Sequence, residues 1–330
     1  MHLPKRRQLL SLPPLLGLLS CLAPLGAPAG EAWPARPVHI VVAYPAGGVS
    51  DAMARLLGER LAGLLGVAVV VENKAGASGA IAVDAVAKSA PDGYTLCFTS
   101  SSPLTLSPYL GRLPYRPDKD LAPVVQVMSS PVLLLATPAT PVHDFRELLA
   151  QARRQPATLR WATAGQASLG HIMLAQLKAA AQVEITHVPY KGGGQQMTDA
   201  LSGQFEVLST NASPAVLQQI QAGRLRPLAV GASRRLEALP QVPTLAELGY
   251  PAANLASQFG LLAPAQTPPA VLQRINQAVN QVLRMPEVGE RMKAGGNLPA
   301  GGTEADFARL LASEAQANAH IIAAAGIQAD

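Results

Sequence analysis

Apolar, β-rich runs that break at glycine and resume at helical spacing recur along this chain, and that alternation leaves it few folds. The first instance is the most informative. Residues 38–43 (Val-His-Ile-Val-Val-Ala) lead into Tyr44-Pro45-Ala46-Gly47-Gly48-Val49-Ser50-Asp51, and then into Met53, Leu56 and Leu57. The pattern describes a buried strand feeding a helix. The first turn of such a helix has backbone N–H groups without intrahelical partners and carries the positive end of the helix dipole. Gly47 and Gly48 remove the side chains that would hold a ligand away from those groups. One junction of this kind suits an anion, and several facing one cleft suit a small carboxylate.

The alternation continues to the C-terminus. A strand at 67–71 is followed by a loop through Gly76 and Gly79, an Ala/Val-rich helix to Lys88, a strand at 95–98 and the strand-end loop Thr99–Ser102. The β-like run 124–136 is interrupted at Ser129-Ser130-Pro131, where the chain is expected to cross between domains. A second series follows, with helices at 144–154, 171–181, 195–202 and 214–222 and strands at 159–164, 185–188, 205–208 and 225–230. A short helix near 243–248, a strand at 259–263 and helices near 268–284 and 304–324 complete the chain, with Thr267 and Thr303 as helix starts. Strands alternating with helices imply right-handed βαβ units and parallel sheets. The expected fold is therefore α/β and two-lobed, each lobe a mostly parallel sheet flanked by helices, with a hinge between. Residues 30–130 and 231–330 form lobe I, and residues 131–230 form the inserted lobe II.

The N-terminus reads as an export signal. Lys5, Arg6 and Arg7 precede the apolar stretch Leu9–Leu22, and Ala27-Pro28-Ala29 offers a cleavage site, so residues 1–29 are expected to be removed and the protein to be periplasmic. Acylation of Cys21 and twin-arginine export through Arg6-Arg7 are the minor alternatives. The stretch is too short and too rich in proline to span a bilayer. Its removal lowers the net charge from +5 to +2, because Lys5, Arg6 and Arg7 are its only charged residues. No basic block remains, which argues against nucleic acid. Cys97 is then the only cysteine, excluding an intrachain disulfide, and it reads as a small buried hydrophobe.

Several segments together resemble one family. Pro45-x-Gly47-Gly48-x-x-Asp51-x-x-Ala54-Arg55, Val70-Val-Glu-Asn-Lys-Ala-Gly76-Ala-Ser-Gly79 and Val86–Leu96 are similar to the first-lobe signatures of the Bug-type substrate-binding proteins of tripartite tricarboxylate transporters. Ser168-x-x-His171, His187-Val-Pro-Tyr190-Lys191-Gly192, Ala222–Val230 and Val242–Tyr250 extend the likeness over essentially the whole mature chain. The resemblance implies a periplasmic binding protein of the type II kind. It would capture a small carboxylate (a di- or tricarboxylate, an amino acid or an aromatic acid) and deliver it to a membrane permease, or present it to a sensor. It further implies a monomer without cofactor, metal or catalytic activity. Ligand contacts are implied at Tyr44, Ala46, Gly47, Gly48, Ser50 and Asp51, at Ser78 and Gly79, and at Thr99, Ser100 and Ser101. In the second lobe they are implied at Thr163, Ala164, Gly165, Ser168 and His171, at Tyr190, Lys191, Gly192 and Gly193, and at Asn211. Two positions depart from the family pattern: Asn211 stands where many relatives carry Asp, and Gly165-Gln166 replaces a more usual Gly-Ser pair.

The same residues admit other chemistries. Lys191 precedes its glycines and no Gly-Lys-Ser/Thr follows, which argues against a nucleotide loop. Ser168 and His171 could share a helix face as nucleophile and base of a secreted hydrolase. No G-x-S-x-G elbow surrounds the serine, and the favoured reading is a helix cap with the histidine packed behind it. His39, His143, His187 and His320 lack metal-ligand spacing. Asp51 is expected to brace its loop, with gripping a ligand amine as the alternative. Tyr190 is expected to wall the cleft.

Overall fold

The computed structural model describes residues 33–166, 168–191 and 193–325, together with His2. The expected signal, residues 1–29, otherwise lies outside the described residues. The first βαβ unit runs β1 (Val38–Val42), α1 (Val49–Leu65), β2 (Val69–Asn73), and is followed by α2 (Ala80–Ala87), β3 (Thr95–Ser100) and the short α3 (Ser102–Thr105). A 16-residue strand, β4 (Leu121–Ala136), leads into α4 (Phe145–Arg154), β5 (Arg160–Thr163), α5 (Leu169–Ala181), β6 (Thr186–Pro189), α6 (Gly193–Leu201), β7 (Val207–Asn211), α7 (Pro214–Gln221) and β8 (Arg226–Gly231). The chain closes with β9 (Ala256–Pro264), α8 (Pro269–Leu283), α9 (Pro286–Ala294), β10 (Leu298–Pro299) and α10 (Glu304–Ala325).

The strands lie in the order β2-β1-β3-β9-β4-β7-β5-β6, with β8 and β10 also pairing β4. The two ends are parallel, as the βαβ pattern requires: β1 pairs β2 and β3, and β5 pairs β6 and β7, all in parallel. The middle is antiparallel, because β9 returns between β3 and β4, and β4 runs against β9, β7 and β8. Strand β4 is not interrupted at Ser129–Pro131. It changes partners there, facing β9 as far as Pro131–Ala256 and β7 and β8 from Val132 onward. Proline has no ladder N–H to give, so it fits the hand-over, while its carbonyl still accepts from Ala212 N–H at 2.9 Å.

Alternation along the strands divides two cores, each in two layers. Ile40, Val42 and Phe98 pack with Leu57 of α1 and Val279 of α8, while Val41 and Cys97 face Val83 of α2 and Phe307 of α10. In the second half, Leu134 packs with Phe145, Trp161 and Leu177, while Leu133 and Leu135 face Phe205 and Leu208. Leu245 and Ala253 belong to this second core, although sequence placed residues 231–330 with the first. Helix α10 reaches both halves, with Ile322 against Leu106, Leu110 and Ile172. Cys97 is buried and its thiol is pushed up to about 12 by that burial.

Local chemistry sets the element ends. Gly48 stands at the N-cap of α1 and Gly66, left-handed at φ 71°, closes it. Asp144 caps α4 by accepting from Glu147 N–H, while Glu147 accepts from His143 N–H, a reciprocal box. Thr303 and Asp306 form the same box at the start of α10. Two expectations fail here, and one helix is unforeseen. Thr244 and Glu247 make a similar box, but Gly249 at φ 90° ends it after one turn, so no helix forms at 243–248. Thr267 does not cap α8; its hydroxyl donates to Pro264 O. Helix α9, unforeseen, starts afresh at Pro286, where a missing N–H costs nothing.

Candidate functional site

The glycine-terminated junctions converge. A cavity of about 290 Å3 lies where the C-terminal ends of β1, β3, β5 and β7 meet the helices that follow them. Tyr44, Ala46, Gly47, Gly48 and Ser50 line it from the first junction, and Ser78 and Ser100 from the loops beside it. Ala164 and Ser168 line it at the start of α5, Gly193 at the start of α6, and Asn211 before α7. Four helices of eight residues or more therefore begin at this wall: α1, α5, α6 and α7. Among the described residues, no charged side chain lines it. The dipoles of four helix starts thus act on this space, and the carboxylate at the first of them, Asp51, is paired with Arg55.

The remaining expected positions hold the wall from outside. Asp51 is 6% exposed and braces its loop, accepting from Gly47 N–H at 3.0 Å and from Arg55 Nε at 3.0 Å. Burial works to raise its carboxyl, but the Arg55 and Gly47 bonds outweigh it and hold the group below the usual carboxylate range. Arg55 also donates to Asn73 Oδ1, and Asn73 donates to the Tyr44 carbonyl, so the loop is tied at both ends. A Cβ at Gly79 would stand 3.3 Å from the Tyr44 hydroxyl, a close approach that keeps this position small. Thr99 is buried, and Ser101 N–H is spent on Gln258 O at 2.8 Å.

In the second half, Thr163 Oγ1 donates to Gly165 O at 3.0 Å and lies 2.8 Å from His187 Nε2. The His187 ring stacks on His171, centroids 4.1 Å apart and planes 4° from parallel. Ser168 caps α5, its hydroxyl accepting from the backbone N–H of His171. Ser78, itself in the left-handed region at φ 51°, donates to Gln166 O at 2.5 Å and so joins the two halves beside the cavity. Tyr190 does not wall the cavity: its hydroxyl donates to Asp199 and its ring meets Phe205 edge-on. Lys191 is exposed and does not line the cavity, and Gly192 lies outside the described residues.

Sequence missed much of the floor and the apolar lining. Val132 on β4 and Ser257 and Phe259 on β9 form part of it, with Leu169, Met197 and Val216 from the helix starts. Tyr44 and Phe259 meet edge-on at 6.4 Å. The Tyr44 hydroxyl is tied to Ser100 Oγ at 2.5 Å, and burial pushes the phenol up, so it stays protonated. Val132 and Phe259 read as core in a one-dimensional pattern; only the partner exchange of β4 turns them toward a cleft.

Comparison with known proteins agrees with this geometry. Residues 53–327 match the model of the tripartite tricarboxylate transporter family receptor. The chain belongs to that family. Its members are periplasmic solute-binding receptors of the Bug type. Protein BugT of Bordetella pertussis is 37% identical over 317 residues, covering 94% of this chain and 96% of that protein. A Rhodopseudomonas palustris protein solved with adipate, Rpa4515, superposes with a TM-score of 0.86 at 33% identity, covering 90% of this chain and 100% of that one. MatC from the same organism, solved with bound malate, gives 0.82 at 30% identity, covering 88% of this chain and 100% of that one. Among the described residues, no helix is long and apolar enough to cross a membrane.

Proposed function

We propose that this receptor captures a small organic carboxylate in the cavity by closing its two halves on it, and that the closed form is what a tripartite tricarboxylate-type permease recognises. The observation that carries the reading is the meeting of four helix starts at one wall without a charged side chain among the described residues. An anion gains at each such end, by up to about 2 kcal/mol where partly buried, and a cation loses. Roughly four to six hydrogen bonds to a charged group, at about 1.5–3 kcal/mol each, give about 6–18 kcal/mol before association costs of several kcal/mol. Micromolar affinity asks for about 8 kcal/mol, so no arginine is required. The adipate and malate held by the two relatives above support the same class.

The moving lobes are assigned from the cores: residues 33–130 and 256–325 form one and 131–255 the other, with the hinge where β4 and β9 part. Residues 1–29 direct export and are removed. Ser168, whose hydroxyl caps a helix, and His171, whose ring stacks on His187, support binding without catalysis. Calorimetry on the purified protein with mono-, di- and tricarboxylates, amino acids and size-matched amines tests the reading. Stoichiometric, retained carboxylate is the expected result. Binding of neutral or cationic solutes only, or steady turnover of a bound ester, overturns it.

A further inference from the structure

The floor of the cavity carries a polar pair whose valencies can be counted. Asn211 ends β7, Ser257 lies on β9, and both line the cavity. Asn211 Nδ2 donates to Ser130 O at 3.1 Å and to Ser257 Oγ at 2.9 Å. A carbonyl oxygen can only accept, so the contact with Ser130 fixes which end of the amide is nitrogen. Both Nδ2 hydrogens are thereby committed. What Asn211 can still offer is the Oδ1 acceptor, and Ser257 Oγ, having accepted, can still give its own hydrogen.

We infer that this pair reads a hydroxyl on the body of the ligand, making the receptor selective for hydroxycarboxylates. The inference rests on the carboxylate reading of the cavity. A ligand O–H donates to Asn211 Oδ1 and accepts from the Ser257 hydroxyl, satisfying both groups at once. A deoxy acid leaves both unpaired in a site that closure dries, which costs more than the bonds themselves contribute. An ammonium group can donate to Oδ1 but cannot accept from Ser257, and no carboxylate among the described lining residues balances its charge. Val132 and Phe259 on the same floor are apolar, while Ser209, Thr210 and Ser213 line the cavity beside Asn211.

Matched acids differing at one carbon test the pair: lactate against propionate, malate against succinate and aspartate, and 2-hydroxyadipate against adipate, each titrated calorimetrically into the purified protein. The best-fitting hydroxy acid is expected to bind about tenfold or more tighter than its deoxy partner, and malate tighter than aspartate. In Asn211→Leu and in Ser257→Ala, made separately so that one folding failure does not decide the matter, the hydroxy-to-deoxy ratio falls to about 1. Equal affinities within every pair in the wild type, a preference for aspartate, or a ratio that survives both substitutions overturns the hydroxyl assignment while leaving the carboxylate reading standing. Failure of every carboxylate to bind overturns both.

Discussion

Substituting Gly48 by valine separates binding from folding more cleanly than any other change at the first junction. Its backbone, at φ −82° and ψ 175°, is open to any residue. A Cβ built there meets just one atom outside its chain neighbours, Pro45 O at 3.6 Å, an ordinary contact. A β-branched residue at an N-cap costs about 1 kcal/mol relative to glycine, roughly a 2–4 °C loss in Tm for a chain of this size. The binding cost is larger. The valine methyls stand over the first turn of α1, and a ligand that loses two charge-assisted bonds there forfeits about 3–6 kcal/mol, or roughly a hundred- to ten-thousandfold in Kd. Titration calorimetry on Gly48→Val, with thermal unfolding beside it, reads both quantities. Gly63→Val, at an exposed site on the same helix where a Cβ meets nothing, is the control and leaves Kd unchanged. A Gly48→Val protein that binds within threefold of wild type would refute the assignment of the α1 start as the anion site. Gly47 is a poorer probe, because φ +83° makes any side chain there strained.

Gly165→Ala is expected to weaken ligand binding at least tenfold. The position has φ +138°, and its Cβ would stand 2.7 Å from Ser78 Oγ and 3.1 Å from Tyr190 O, so the Ser78–Gln166 bridge between halves must break; wild-type affinity by calorimetry would remove that bridge from the bound form. Gly260→Ala presses a methyl to 2.4 Å from the Phe307 ring and 2.6 Å from the Val125 carbonyl. Backbone cannot yield as a side chain can, so α10 is displaced and Tm drops by roughly 5 °C or more, against which an unchanged melting curve would count. Asp51 should also make stability pH-dependent. Its folded pKa is depressed, so its contribution is full above the unfolded value of about 3.9 and is lost as pH falls through the lower folded value. Asp51→Asn should flatten the acid limb of Tm against pH between about 5 and 2, and parallel limbs would exclude the brace.

The fold was legible wherever local chemistry and burial agreed. The helix that follows the glycine pair, the Asp144 box and the Thr303 start each satisfy their own backbone within a few residues, and sequence locates them to within a turn. At Thr244 the same local signal misleads, because Gly249 outweighs a cap that is otherwise complete. The parallel ends of the sheet follow from βαβ alternation, which dictates handedness and direction. The antiparallel middle does not follow: β9 enters after a connection without regular helix, and β4 runs against β7 and β8 although helices feed both of those strands.

That difference explains which part of the cavity could be foreseen. Its walls are strand-to-helix junctions, and each announces itself by glycine, serine or threonine where a strand stops. Its floor is made by side chains in the middle of β4 and β9, where Val132, Ser257 and Phe259 look like core or like unremarkable strand polarity. They face the cavity because β4 leaves β9 at Pro131 and takes up β7 and β8 at Val132. On the proposed reading, the walls take an anion through backbone groups that any sequence could present, and so define a class. The floor reads the remainder of the molecule through particular side chains. Selectivity within the class therefore depends on the residues that a one-dimensional pattern conceals, and exchanging Asn211 or Ser257 should change which acid is held, whereas exchanging Gly48 should change whether any acid is held.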